Sequence, residues 1–283
     1  MTTYAVTGAS GQLGHLIVEH LLARGIAPAD VVAIARTESK VADLAERGVT
    51  VRHGDYDDAA SLDTALEGVD RLVLVSASEP GKRLPQHQAV ITAAQKAGVS
   101  RILYTSLLAA DTTTNPLAGE HVATEEALAA SPIPATILRN SWYFENYTAQ
   151  IPQYLADGAI TTATNNARIS AATRSDYAEA AAAAAISDVE GKVYELGAAP
   201  FTMTNLAEVL TSVTNTDVRH HAVAVDELVG GMVQAGLDEG TARFWAGVDA
   251  SIAKGDLVTE STDLADLIGH EPTSLEDAVR AAL

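Results

Sequence analysis

The chain has 283 residues, 47% hydrophobic, 19% charged and 5% aromatic, with 18 basic against 37 acidic side chains and a net charge of −19. It has no cysteine, which excludes disulfides, thiolate metal sites and a cysteine nucleophile, and its acidity disfavours nucleic acid and anionic lipid as partners. No apolar run reaches the ~18 residues of a bilayer helix and no basic leader opens the chain, so the expectation is a cytoplasmic protein with no membrane span and no nucleic-acid partner.

A short apolar strand is predicted at 3–7, then the loop Gly8-Ala-Ser-Gly11-Gln-Leu-Gly14, then a helix at 15–23. In a strand–loop–helix order, Gly8 permits a tight turn, Gly11 lets backbone approach a pyrophosphate, and Gly14 lets the helix pack close to the sheet. The helix N-terminus offers free N–H groups to phosphate. Thr7, Gly8, Ser10, Gly11, Gln12, Leu13 and Gly14 are therefore the first cofactor candidates. The second strand, 31–35, ends at Arg36, with Lys40 one turn on. A basic residue here accepts a 2′-phosphate where an acidic one would bond a 2′-hydroxyl, so NADP(H) is favoured over NAD(H). Arg36 could otherwise pair with Glu38.

A helix at 38–47 and a strand at 50–53 lead to Asp55 and Tyr56. Asp55 faces either an adenine amine or the start of the next helix, 61–66, as its N-cap. The fourth strand, 72–75, runs into Ser76, Ala77 and Ser78, small enough for a cofactor backbone to pass. A helix at 85–97, a strand at 102–105 reaching Thr105 and Ser106, a helix at 122–130 and a strand at 135–138 follow. Strands this continuously apolar, alternating with helices, define an α/β fold: a doubly wound parallel sheet (Rossmann fold) with right-handed crossovers.

Beyond Asn140 the rhythm loosens. An alanine-rich helix at 175–186 has Asp176 in its first turn, and a strand follows at 192–196. The segment 201–214 turns into a helix with Thr204 as N-cap, and a small strand is predicted at 218–223. Helices at 226–235, 238–253, 263–268 and 274–282 complete the chain. The expected division is a dinucleotide-binding unit at 1–158, to which 172–198 returns, and a smaller, mostly helical substrate lobe at 199–283 with 159–171. His220 and His221 are adjacent on a strand and point to opposite faces, so no metal site is expected.

The stretches TGASGQLG, VVAIAR, VRHGDYDD, PQHQAVITAAQKAGV, ILYTSLLAADT, ILRNSWYFENY, GKVYELG and LIGHEPTSLEDAV together resemble the NmrA-like branch of the atypical short-chain dehydrogenases. Within it the chain is most similar to the NADPH-dependent quinone oxidoreductases of type 2, with the triphenylmethane reductases also similar. Ordinary short-chain dehydrogenases place Tyr-x-x-x-Lys on the helix after the fifth strand. The resemblance puts His121 at the Tyr position, Glu125 at the Lys position and Leu107 at the assisting Ser position. It thus implies hydride transfer to a readily reduced acceptor, a quinone or similar conjugated electrophile, carried by orientation and by the cofactor. His121 becomes a hydrogen-bonding or catalytic candidate, Glu125 a cofactor candidate, and Asn140 a partner for the carboxamide. His87, Trp142, Tyr143 and Phe144 are substrate candidates, Tyr143 and Asn140 also catalytic ones, and Arg174, Tyr177, Phe244 and Trp245 weaker ones. Two other functions stay open: an NADP(H)-sensing regulator without catalysis, and a dye reductase. A homodimer is a further possibility.

Overall fold

The computed structural model describes residues 1–79 and 81–283. The first half runs β1 (Tyr4–Val6), α1 (Gln12–Ala23), β2 (Val31–Ala35), α2 (Ala42–Glu46), β3 (Thr50–His53), α3 (Ala59–Ala65), β4 (Arg71–Leu74), α4 (Arg83–Ala97), β5 (Arg101–Leu107), α5 (Ala118–Ala129) and β6 (Ala135–Asn140). The second half adds α6 (Glu145–Thr148), α7 (Ile151–Asp157), β7 (Ala159–Thr162), α8 (Arg174–Ile186), β8 (Val193–Leu196), α9 (Met203–Thr214), β9 (Arg219–Ala222), α10 (Val225–Gln234), α11 (Glu239–Ala253), α12 (Asp263–Ile268) and α13 (Leu275–Ala281).

Seven strands form one parallel sheet in the order β3-β2-β1-β4-β5-β6-β8. The period-2 alternation of strand side chains divides its apolar residues between two layers. Val6, Val31, Ala33, Val73, Leu103 and Leu138 pack with α1 and α8, while Ala5, Val32, Ile34, Leu72, Ile102 and Ile137 pack under α3, α4 and α5. Both faces are covered, as the apolar strands require. The edge strand β3 departs from that pattern, with the ends of Thr50-Val-Arg-His53 exposed and its middle half-buried.

Helix α8 lies flat on the sheet because its face is almost entirely alanine. Thr173 caps its start and Asp176 returns the bond to the Thr173 N–H, a capping box. At its other end the buried Arg101 donates to Ala184 and Ala185 carbonyls at 2.8 Å and to Val189 at 3.0 Å. Arg71 donates to the carbonyls of Ala185, Ile186 and Ser187. Two guanidinium groups thus take up the orphan carbonyls and negative dipole end of α8.

A second, two-stranded sheet pairs β7 with β9 in parallel. β9 is expected from the sequence; β7 is not, because Ala-Ile-Thr-Thr lacks an apolar run and gains its partner only from residues sixty positions away. The N-cap of α9 is Thr202, which accepts from the Asn205 N–H in a capping box, and not Thr204. Within this part, β7, α9 and α11 enclose an apolar cluster with Phe144, Tyr147, Tyr154 and Phe201. No helix among the described residues is long and apolar enough to cross a membrane.

Candidate active site

The sheet order reverses between β1 and β4, and the loops leaving those strands open a cleft of about 670 Å³. Ligands of doubly wound folds bind at such a switch point. Gly8 has φ +60, a conformation only glycine adopts without strain, and its carbonyl accepts from the Gly11 N–H at 2.8 Å. A Cβ on Gly14 would lie 2.4 Å from the Gly8 carbonyl oxygen, so only glycine lets α1 start this close to β1. No side chain caps α1; its first N–H groups are left for a ligand.

Gly8, Ser10, Gly11, Gln12, Leu13 and Gly14 line the cleft, as do Arg36, Lys40, Asp55, Tyr56, Ser76, Ala77 and Ser78. Thr7 does not: its hydroxyl accepts from the Val75 N–H at 3.0 Å and lies 2.5 Å from the Tyr56 hydroxyl, tying β1 to β4. The Tyr56 phenol pKa is raised by burial. Arg36 is exposed and approaches Glu79 at 3.5 Å rather than Glu38. The N-cap of α3 is Asp58, which accepts from the Ala60 and Ser61 N–H groups, so Asp55 is released from that task.

Two expected contacts lie behind the 76–78 loop. Thr105 accepts from the Ser76 N–H at 2.9 Å and does not line the cleft. His87 is fully buried and stands outside the cleft. Its Nε2 accepts from the Ala77 N–H at 2.9 Å, and its Nδ1 lies 2.9 Å from the Thr124 hydroxyl. Burial and nearby Arg83 push its pKa down to about 3. It positions the loop and offers no nitrogen to a substrate.

At the other end stand Ser106, His121, Asn140, Trp142 and Tyr143. Asn140 Nδ2 lies 3.4 Å from the Tyr143 hydroxyl, whereas Asn140 Oδ1 is buried without a partner among the described residues. The Arg174 guanidinium sits 5.2 Å from the Tyr143 ring centre, within cation–π range. Phe144 turns away from the cleft onto Phe201, ring centres 5.4 Å apart, as core packing. His121 Nδ1 is 2.8 Å from the Tyr104 hydroxyl; burial first, then Arg83 and His87, lower its pKa to about 3. The imidazole is neutral at physiological pH.

Glu125 also stands outside the cleft. It binds the buried Arg139 through two bonds, 3.0 and 2.7 Å, and accepts from Ser106 Oγ at 2.5 Å. A carboxylate so engaged cannot do the work of a lysine. Arg83 is the residue that sequence reading misses. It is buried at the cleft wall and donates from Nε to the Ala77 carbonyl at 2.8 Å. Its one sequence signal is the cation pair Lys82-Arg83 opening a helix just after the small-residue loop. With Arg36, Lys40 and Arg174 it gives the cleft a cationic lining on a chain of net charge −19.

This fold and this glycine turn define a dinucleotide-binding protein of the Rossmann class. A model of an NAD(P)H-binding family matches residues 8–189. Quinone oxidoreductase 2 of Escherichia coli K12 is 46% identical over 97% of the chain and 96% of its own length. A crystal structure of the E. coli NADPH-dependent quinone oxidoreductase with NADPH superposes at TM-score 0.95, covering 99% of both chains at 44% identity. Citrobacter sp. triphenylmethane reductase with NADP(H) superposes at 0.93, covering 99% of this chain and all of its own, at 36% identity. An NmrA-like family domain-containing oxidoreductase of Aspergillus flavus is 30% identical over 99% of the chain and 94% of its own length. The chain belongs to the NAD(P)H-binding, NmrA-like family.

Proposed function

We propose that the protein is an NADPH-dependent oxidoreductase that reduces a quinone or similar conjugated acceptor by direct hydride transfer. One observation carries the chemistry. The positions that hold Tyr and Lys in ordinary dehydrogenases hold a neutral His121 and a Glu125 locked to Arg139. The Tyr–Lys pair that delivers a proton to an alkoxide in ordinary dehydrogenases has no counterpart at these two positions. A quinone needs none, because its reduced oxygen is a stabilised phenolate that water can protonate. Orientation alone then supplies much of the rate.

The residues fit the cofactor. The glycine turn would be blocked by a Cβ at Gly14, the uncapped α1 start presents N–H groups, and the orphaned Asn140 Oδ1 matches a carboxamide NH2. On this reading the 8–14 loop holds the pyrophosphate and Arg36 and Lys40 the 2′-phosphate. Asp55 meets the adenine, the 76–78 loop follows the cofactor backbone, and Ser106 meets a ribose hydroxyl. The bound nicotinamide supplies the hydride. Trp142 and Tyr143 offer apolar walls for a planar acceptor, and the segment 199–283 with 159–171 forms the substrate lobe.

The test is NADPH oxidation against a panel of benzo- and naphthoquinones, simple ketones and triphenylmethane dyes. Turnover with quinones and none with ketones is expected. A protein that binds NADPH yet turns over no quinone would refute the reading. Arg36→Glu should weaken NADPH binding about 100-fold, the worth of a charge-assisted bond turned into a repulsion, and change NADH binding only a few-fold. Equal losses measured by titration would remove Arg36 from the 2′-phosphate.

A further inference from the structure

We infer that Tyr104 is a positioning residue for the reduction: its hydroxyl donates to His121 Nδ1, fixes the imidazole as its Nε2–H tautomer, and so makes His121 a hydrogen-bond donor to the acceptor oxygen. The second half of this inference rests on the function proposed above; the first half does not.

The argument is one of proton placement. Tyr104 is fully buried on β5, and a buried hydroxyl must give its proton to an acceptor. Among the described residues it makes one hydrogen bond, to His121 Nδ1 at 2.8 Å. Thr124 also lies near the phenol, but among the described residues no bond of hydrogen-bonding geometry joins the two hydroxyls, whereas one joins Tyr104 to His121 Nδ1; Thr124 is turned to other partners. It donates to the Glu120 carbonyl at 2.9 Å and lies 2.9 Å from His87 Nδ1. His87 Nδ1 is a donor, because its Nε2 already accepts from the Ala77 N–H. Were His121 to carry its proton on Nδ1, the Tyr104 proton would have no acceptor in hydrogen-bonding geometry among the described residues. So Nδ1 accepts, and the proton sits on Nε2. Tyr104 does not line the cleft and His121 does, which leaves Nε2, without a partner among the described residues, as the nitrogen on the cleft side.

The surrounding charges keep the ring neutral. From α4, Arg83 and His87 face it, and both disfavour a second proton. From α5, Glu125 is held by Arg139 and Ser106, and Glu120 binds the Gly81 N–H at 2.8 Å and approaches Arg83. Among the described residues no free carboxylate remains to draw a proton onto the imidazole. A neutral N–H aimed at an oxygen stabilises charge that develops there. In the reduction the acceptor takes one hydride, that is, one proton with two electrons, from the dihydronicotinamide, which is oxidised, and one acceptor oxygen becomes a phenolate. His121 Nε2–H bonds that oxygen and keeps its own proton; water supplies the proton that completes the hydroquinone.

The test reads the histidine ring nitrogens by long-range 1H–15N correlation in the cofactor-free protein. His121 is expected in the Nε2–H form from about pH 5 to 8. In Tyr104→Phe, which keeps the ring and its packing, the Nδ1–H form should become populated and kcat with a quinone should fall about 10-fold at little changed KM. His121→Gln, which keeps an N–H donor, should retain more activity than His121→Leu, whose loss should approach the ~100-fold of a deleted oxyanion donor. An Nδ1–H tautomer in the unaltered protein overturns the role of Tyr104. Equal kcat in the Gln, Leu and unaltered proteins overturns the donor role of His121. The expected tautomer in a protein that reduces no quinone refutes the proposed function and the donor role with it, while the Tyr104 contact stands.

Discussion

Arg139→Leu is expected to destabilise the protein by about 3–5 kcal/mol, the cost of leaving a buried ion pair with one partner removed. Arg139 is buried on β6, and its guanidinium meets Glu125 at 2.7 Å, Glu195 at 2.9 Å and Asp111 at 3.0 Å. These partners are not equal. Asp111 is 61% exposed and can return to water, and Glu195 is 31% exposed. Glu125 is 14% exposed and has no second cation. Its desolvated charge carries most of the expected loss. Arg139→Leu/Glu125→Leu should therefore recover much of the stability, because it removes both charges from an apolar setting. Denaturant midpoints of both variants provide the measurement. A single variant within about 1 kcal/mol of the unaltered protein, in the range of an exposed pair, would show that the cluster is solvated. The same experiment separates two roles for Glu125. As a structural anchor it affects stability, and NADPH affinity should be little changed in Glu125→Gln.

The resemblance assigns Glu125 to the Lys position as a cofactor candidate, but its partner Arg139, which holds it outside the cleft, is not legible in the sequence. The resemblance implies which residue stands at the Tyr or Lys position; it does not say what a neighbouring strand puts opposite. Arg139 lies in the run Ala135-Thr-Ile-Leu-Arg-Asn140, where a strand pattern marks it only as an odd charge. His87 shows the same limit: the helix was correctly placed, but its face toward β4 and α5 is set by tertiary packing. Thr7 directly follows β1, whereas Thr105 lies within β5, which runs on to Leu107; the hydroxyls of both hold neighbouring loops. Phe144 follows Tyr143 in a turn, and adjacent residues diverge, one to the cleft and the other to the core. By contrast, the glycine loop, the parallel strands and Arg36 are governed by local rules. Backbone conformation, apolar continuity and the strand-end position need no partner to be recognised. β7 is not legible in the sequence for the opposite reason, since it exists only by pairing with β9.

Stability should fall as the medium is acidified from pH 7 toward pH 4, and the buried histidines give the sign. His87 and His121 have an unfolded pKa near 6.5 and a folded one near 3. Their stabilisation is complete above the unfolded value and is lost as pH falls through the folded one, because the unfolded chain binds more protons in that interval. Two protons correspond to about 2.7 kcal/mol per pH unit. Asp249 works against them. Burial raises its pKa from 3.8 to about 6, despite an Ala163 N–H bond of 2.7 Å. Its stabilisation is complete below the unfolded value and is lost as pH rises through 6, so between these values it offsets one of the two protons. The net slope near pH 5 is therefore about 1.4 kcal/mol per unit. His20 and His220, also lowered by burial, add in the direction of the histidines. Asp249→Asn should steepen the slope toward the two-histidine value, while removal of His87 should flatten it. Denaturant unfolding at a series of pH values separates these outcomes. A stability that is flat from pH 7 to 5 in both the unaltered protein and Asp249→Asn would mean that the histidines are charged in the folded state. The neutral His121 imidazole at the cleft, and the donor assigned to it, would then be lost together.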